Sequence, residues 1–234
     1  YKKFSFRPTI NQEKIIESLS NYLCDSDYSK IFILNGYAGT GKTSLIAATV
    51  AALKTVGIRT VLLAPTGRAA KVLSRYSGEK ALTIHKRIYR EQTNASYESK
   101  FSININREQN CVFIVDEASM LHSGTANDRT QFGSGSLLDD LIQYVRSGRQ
   151  CRLILVGDAA QLPPIGEAFS PALSQQQMEY YGDVVYQSMD EVVRQEQDSG
   201  ILFNATLIRM MLENNILDTP RFDLDYPYVH RIES

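Results

Sequence analysis

Gly36-Tyr37-Ala38-Gly39-Thr40-Gly41-Lys42-Thr43 fits G-x-x-x-x-G-K-[ST], and its flanks decide the fold. Before it stands Ile31-Phe32-Ile33-Leu34, a short apolar run that reads as a buried parallel strand. After it, Ser44 to Val56 is rich in Ala and Leu and reads as a helix ended by Gly57. Glycines let backbone N–H groups turn inward onto phosphate oxygens, and the helix N-terminus adds about half a positive charge. Gly36, Gly39, Thr40 and Gly41 then line a phosphate cradle, Lys42 reaches the β/γ-phosphates and the Thr43 hydroxyl ligates Mg²⁺. The alternative, a Gly-rich turn in an unrelated α/β domain, does not explain the strand–loop–helix context.

The chain has 234 residues, enough for one large or one and a half ordinary domains. Its 43% hydrophobic and 22% charged content is that of a soluble globular protein. A formal net charge of −1 gives no global basic field, so any nucleic-acid contact must use a local groove. Cys24, Cys111 and Cys151 lie far apart, and the last two open apolar strand-like runs, as buried core residues do. No apolar run approaches the ~18 residues that span a bilayer, so no membrane segment is predicted and a cytoplasmic location is the default. The start at Tyr1 rather than Met leads us to expect a fragment.

Residues 8–23 carry Ile10, Ile15, Ile16, Leu19 and Leu23 near helical spacing after Pro8 and Thr9, predicting an amphipathic helix. Apolar runs at 60–64, 111–115 and 152–156 predict further buried strands, and 184–186 another strand. Helical patterns are expected at 67–75, 137–145, 175–181 and 201–212. Residues 90–110 are polar, with a period of two at Phe101, Ile103 and Ile105, and read as a surface hairpin arm. Residues 121–136 concentrate Gly, Ser and Thr and read as a long loop. Strands alternating with helices predict an α/β fold, a parallel sheet with helices on both faces.

Two more strand ends carry chemistry. Val112 to Val115 runs into Asp116-Glu117, and strand C-termini face the ligand crevice of an open α/β sheet. There Asp116 would hold Mg²⁺, directly or through water, while Glu117 would orient and deprotonate an attacking water. Alone the pair could be an exposed acidic turn; beside the glycine loop it indicates hydrolysis. Leu153 to Gly157 repeats the device and leads through Asp158 to Gln161-Leu162-Pro163-Pro164. Gln161 could hydrogen-bond a γ-phosphate or the water beside it, and the two prolines stiffen the segment beyond.

With these elements in order, the chain resembles a superfamily 1 DNA helicase, closest to the RecD-like 5′-to-3′ group. The motifs are GYAGTGKT, DEASM at 116–120, GDAAQLPP at 157–164, APTGRAA at 64–70 and TIH at 83–85. The resemblance implies a RecA-like P-loop domain using ATP and Mg²⁺ to move on single-stranded DNA. It places Pro65, Thr66, Gly67, Arg68, Thr83 and His85 on the DNA, Gln12 on the adenine edge and Arg194 on the γ-phosphate. On spacing alone, Arg68 fits a solvated helix face equally well, and His85 a local hydrogen-bonding histidine. The resemblance further implies a first RecA-like domain over 1–189 with its arm near 90–110. Residues 190–234 would then begin a truncated second RecA-like domain or form a linking helix. That missing second motor domain would supply an arginine to the site in the full-length protein, so the fragment is expected to hydrolyse ATP slowly and not to unwind DNA alone. The alternative is a non-catalytic nucleic-acid-binding P-loop subunit, which intact Lys42, Thr43, Asp116 and Glu117 oppose.

Overall fold

The apolar runs become strands because each is buried on both faces. In a computed structural model that describes residues 8–93, 99–124, 133–191, 200–213, 216 and 218–223, the elements are ordered along the chain as a strand–helix alternation. Helix α1 (Ile10–Cys24) precedes β1 (Ile31–Gly36), α2 (Lys42–Thr55), β2 (Arg59–Ala64), α3 (Gly67–Ser77), β3 (Ala81–Thr83) and α4 (Ile84–Ile88). The hairpin strands β4 (Tyr89–Thr93) and β5 (Ser99–Ile103) lead to β6 (Gln109–Val115), α5 (Leu137–Ser147), β7 (Arg149–Gly157), α6 (Gln175–Met178), β8 (Val184–Met189) and α7 (Gly200–Glu213). Six strands form one parallel sheet in the order β3-β2-β6-β7-β1-β8. This is the expected RecA-like architecture.

Alternation along the strands divides the core in two. Ile33, Phe113 and Leu155 pack against Leu138, Leu141 and Tyr144 of α5 on one face. Phe32, Leu34, Ile114 and Ile154 pack against Ile15 and Leu19 of α1 and Leu45, Ile46 and Leu53 of α2 on the other. Phe113 is fully buried and meets the Tyr144 ring edge-on at 6.0 Å. Replacing it by Ala would cost about 3–5 kcal/mol, a large part of the ~5–15 kcal/mol that keeps a domain folded.

Three features differ from the sequence reading. The three-residue strand β3 at the sheet edge was not anticipated, because three residues carry too little periodicity to register. The arm exists as an antiparallel hairpin with Tyr89 opposite Ile103, yet Phe101 and Ile103 rest on the main core rather than standing free. Downstream of it, Asn106 and Glu108 are buried, not surface residues. Glu108 is tolerated there because Arg59 approaches it at 2.8 Å and Arg87 donates to its other oxygen. The long loop is described only in part, since residues 125–132 fall outside the described set.

Candidate nucleotide and nucleic-acid site

Strand order builds the site. β7 lies between β6 and β1, so the turn after Gly157 sits between the glycine loop and Asp116-Glu117 at one edge of the sheet. Three segments distant in sequence thus meet at adjacent strand C-termini.

The glycine loop starts where β1 ends. Gly39 and Gly41 take φ of +79° and +92°, left-handed conformations that glycine adopts without a Cβ clash. A Cβ on Gly36 would come within 2.8 Å of Met189 Cβ and 3.1 Å of Thr40 Oγ1, so the start of the loop also needs a glycine for space. Helices α1, α3, α4, α5 and α6 each begin with a Thr or Ser whose side chain accepts a backbone N–H. Helix α2 begins instead at Gly41 with no side-chain cap, leaving its first N–H groups for a ligand. Lys42 Nζ donates to the carbonyls of Gly36 (2.5 Å) and Tyr37 (2.8 Å), which points the ammonium into the hollow of the loop. Thr40, fully buried, donates through Oγ1 to Tyr37 O at 2.8 Å.

Gln12 is buried at 3% exposure, and both ends of its amide are engaged. Its Oε1 accepts from Thr9 N at 3.1 Å, half of a capping box at the start of α1, and its Nε2 donates to Thr40 O at 3.1 Å. The residue predicted to read adenine therefore also braces the glycine loop.

Asp116 and Glu117 come directly after β6, as expected. Asp116 N donates to Leu63 O of β2 at 3.0 Å, and Asp116 Oδ1 accepts from Glu117 N at 3.0 Å. Burial, helped by the Glu117 charge, pushes the Asp116 carboxyl up to about 6, with Lys42 pulling the other way. Glu117 itself has φ of +55°, a left-handed conformation that costs a non-glycine residue roughly 1–3 kcal/mol. Such strain is held where surroundings over-determine it, and the next turn is indeed packed: Ala118 and Ser119 are fully buried. A Cβ on Gly157 would meet Ser119 N at 3.0 Å and Leu173 Cδ1 at 2.8 Å.

The turn after β7 is fixed from both sides. Asp158, 1% exposed, accepts from Ala160 N on Oδ1 (3.0 Å) and from Gln161 N on its carbonyl (3.1 Å). Asn35 Oδ1 accepts from Ala159 N at 2.9 Å. The Gln161 side chain is exposed at this edge. Sequence reasoning missed Asn35; the available signal was a lone amide closing an otherwise apolar strand.

The residues expected on DNA lie at the C-terminal ends of β2 and β3. Thr66 caps α3 by accepting from Ala69 N at 3.2 Å, and Thr83 caps α4 by accepting from Lys86 N at 3.3 Å. A capping hydroxyl accepts through oxygen and keeps its hydrogen to donate. Thr66, Gly67 and Arg68 are exposed, whereas Pro65, Thr83 and His85 are half-buried. Burial and the neighbouring His122 hold the His85 imidazole below the usual histidine value. Arg194 lies outside the described residues.

The donor set fits a nucleoside triphosphate with Mg²⁺. Backbone N–H groups and an ammonium suit phosphates, while a threonine hydroxyl and a carboxylate are hard oxygen ligands. Among the described residues no cluster of three or more His, Cys, Asp or Glu could hold a metal by itself. No helix among them is long and apolar enough to cross a membrane.

A family model described as an AAA domain matches residues 17–210. The ATP-dependent RecD2 DNA helicase of Deinococcus radiodurans is 29% identical over 136 residues, covering 58% of this chain and 16% of its own. The ATP-dependent DNA helicase dda of Enterobacteria phage T4 is 35% identical over 139 residues, covering 56% of this chain and 28% of its own. The crystal structure of Pif1 helicase from Candida albicans aligns at a TM-score of 0.49 and 17% identity, covering 89% of this chain and 44% of that one. The chain spans less than a third of the length of these two sequence relatives.

Proposed function

The chain belongs to the AAA domain family, and from that premise we propose that it is a superfamily 1 helicase motor domain of the RecD-like group, which binds ATP–Mg²⁺ and hydrolyses it to move along single-stranded DNA. The observation that carries the reading is the uncapped N-terminus of α2 beside the β7 turn and the Asp116-Glu117 strand end.

In this reading the glycine loop and Lys42 hold the β- and γ-phosphates, and Thr43 and Asp116 hold the metal. Bound Mg²⁺ supplies charge neutralisation across the phosphates. Glu117 orients the attacking water and takes its proton, and Gln161 hydrogen-bonds the γ-phosphate or that water. Arg194 adds a second γ-phosphate contact. Gln12 reads the adenine edge and, through Thr40, ties base recognition to the loop. Pro65, Thr66, Gly67, Arg68, Thr83 and His85 grip the DNA backbone, with hydroxyl, guanidinium and backbone donors turned to phosphates. A His85 held neutral at pH 7 contributes a hydrogen-bond donor rather than a charge.

In the same reading the chain divides near residue 190, and a second motor lobe completes the full-length protein. Movement is 5′-to-3′, and the site of action is cytoplasmic. The 234-residue chain then binds ATP–Mg²⁺ without separating strands by itself, and strand displacement by it would overturn that part. The central test is ATP turnover by the full-length protein with and without single-stranded DNA, in wild type and Lys42→Ala. DNA-stimulated turnover lost in Lys42→Ala is expected. The absence of DNA-stimulated, Lys42-dependent turnover would replace this reading with a non-catalytic nucleic-acid-binding subunit.

A further inference from the structure

We infer that Asn35 is a positioning residue for ATP hydrolysis: it sets the γ-phosphate-facing turn at Asp158–Gln161 against the glycine loop. The inference rests on the role proposed for Gln161.

Asn35 is the last residue before Gly36 and the polar end of the run Ile31-Phe32-Ile33-Leu34. An amide at 9% exposure in a central strand costs stability unless it is hydrogen-bonded, so its partners matter. In the sheet Asn35 stands opposite Gly157 of β7 and Ser188 of β8, flanked on both sides. Its Oδ1 accepts the Ala159 N–H at 2.9 Å. One side chain therefore links the strand that carries the glycine loop to the turn that carries Gln161.

The Ala160 and Gln161 N–H groups bond to Asp158 and fix the turn's internal shape. The Ala159–Asn35 bond extends the β1–β7 pairing of Asn35 with Gly157 into the turn and ties it to the residue before Gly36. Ala159 is exposed, so water can satisfy its N–H once Asn35 is removed. The fold then loses little, whereas the turn loses its tether. A group that must meet developing charge tolerates such displacement poorly.

The test is a double-mutant cycle on ATP turnover with single-stranded DNA, run on the full-length protein as Asn35→Ala, Gln161→Ala and the pair, with ADP affinity measured in each. Gln161→Ala alone should lower kcat by about 10²-fold. Asn35→Ala should lower kcat by about tenfold with ADP affinity kept within about twofold, since ADP has no γ-phosphate. In the Gln161→Ala background, Asn35→Ala should cost no more than about twofold, because its effect runs through Gln161. Asn35→Asp, which keeps the acceptor, should preserve the Ala159 bond and recover part of kcat if Asn35→Ala does not fold. Independent losses in the cycle, or ADP affinity falling in step with kcat, would overturn the inference while leaving Gln161 in place. An unaffected Gln161→Ala would instead remove the Gln161 reading, and this inference with it.

Discussion

The proposed nucleotide side and the proposed DNA side of this domain both lie at strand C-termini of the same sheet, yet they are built differently. Around the glycine loop, Gln12, Asn35, Thr40 and Asp158 are all buried, and each is hydrogen-bonded to a named partner. On the proposed DNA side Thr66, Gly67 and Arg68 are exposed, and the hydroxyls of Thr66 and Thr83 cap the helices that follow them. A triphosphate has one shape, so its site benefits from rigid placement. A polymer whose phosphates pass in succession needs a grip that releases, and shallow, solvated contacts serve that.

The sharpest way to break this contrast is Glu117→Gln. We expect ATP turnover to fall by about 10²–10⁴-fold while ATP still binds, read by phosphate release and by equilibrium nucleotide titration. Turnover close to wild type would mean that the buried side is not the catalytic one. Asp116→Asn probes the cost of that burial. The Asp116 carboxyl is raised from 3.8 to about 6, so at pH 7 the metal-free fold holds a charge that the unfolded chain carries more easily. Removing the charge should stabilise the metal-free protein by up to about 3 kcal/mol, or about 2–4 °C in Tm for each kcal/mol. The gain should be full above pH 6 and fade as the pH falls toward 3.8, below which both states are protonated. Scanning calorimetry across that range without metal checks it, and a Tm that falls at pH 7 would contradict it.

Gly157→Ala compared with Gly67→Ala tests rigidity directly. A Cβ at 157 meets Leu173 and Ser119 N, whereas at 67 it meets nothing within 4 Å. Urea unfolding should show a loss of about 1–3 kcal/mol at 157 and a change within about 0.5 kcal/mol at 67. Equal effects would erase the difference between the two sides. Arg68→Ala carries the smallest expected effect. Single-stranded DNA affinity should fall severalfold, and the slope of log affinity against log salt should shrink by about 1. An unchanged slope would take Arg68 off the DNA and return it to a solvated helix face.

The same contrast explains what could be read from the residues. The glycine loop, Asp116-Glu117 and the Gln161 turn were legible because each combines an apolar strand with a fixed chemical requirement at its end. The parallel core strands showed as unbroken apolar runs for the same reason. Asn35 and the bracing role of Gln12 were not legible, because a polar residue's importance depends on a partner 124 or 28 positions away. Glu108 looked like part of a polar arm until Arg59 and Arg87 were seen beside it. The residues proposed to touch DNA were named only through resemblance, since exposed threonines and arginines carry no pattern of their own.

The place of β1 in the sheet has a consequence for how the chain is made. Its strand at residues 31–36 is held between partners at 149–157 and 184–189, so it leaves the ribosome before both and waits for neighbours synthesised much later. Contacts so distant along the chain form slowly. The glycine loop is therefore among the last parts to be completed, and under the proposed function ATP binds only chains that have finished the sheet. Its binding free energy would then add to the finished fold by mass action.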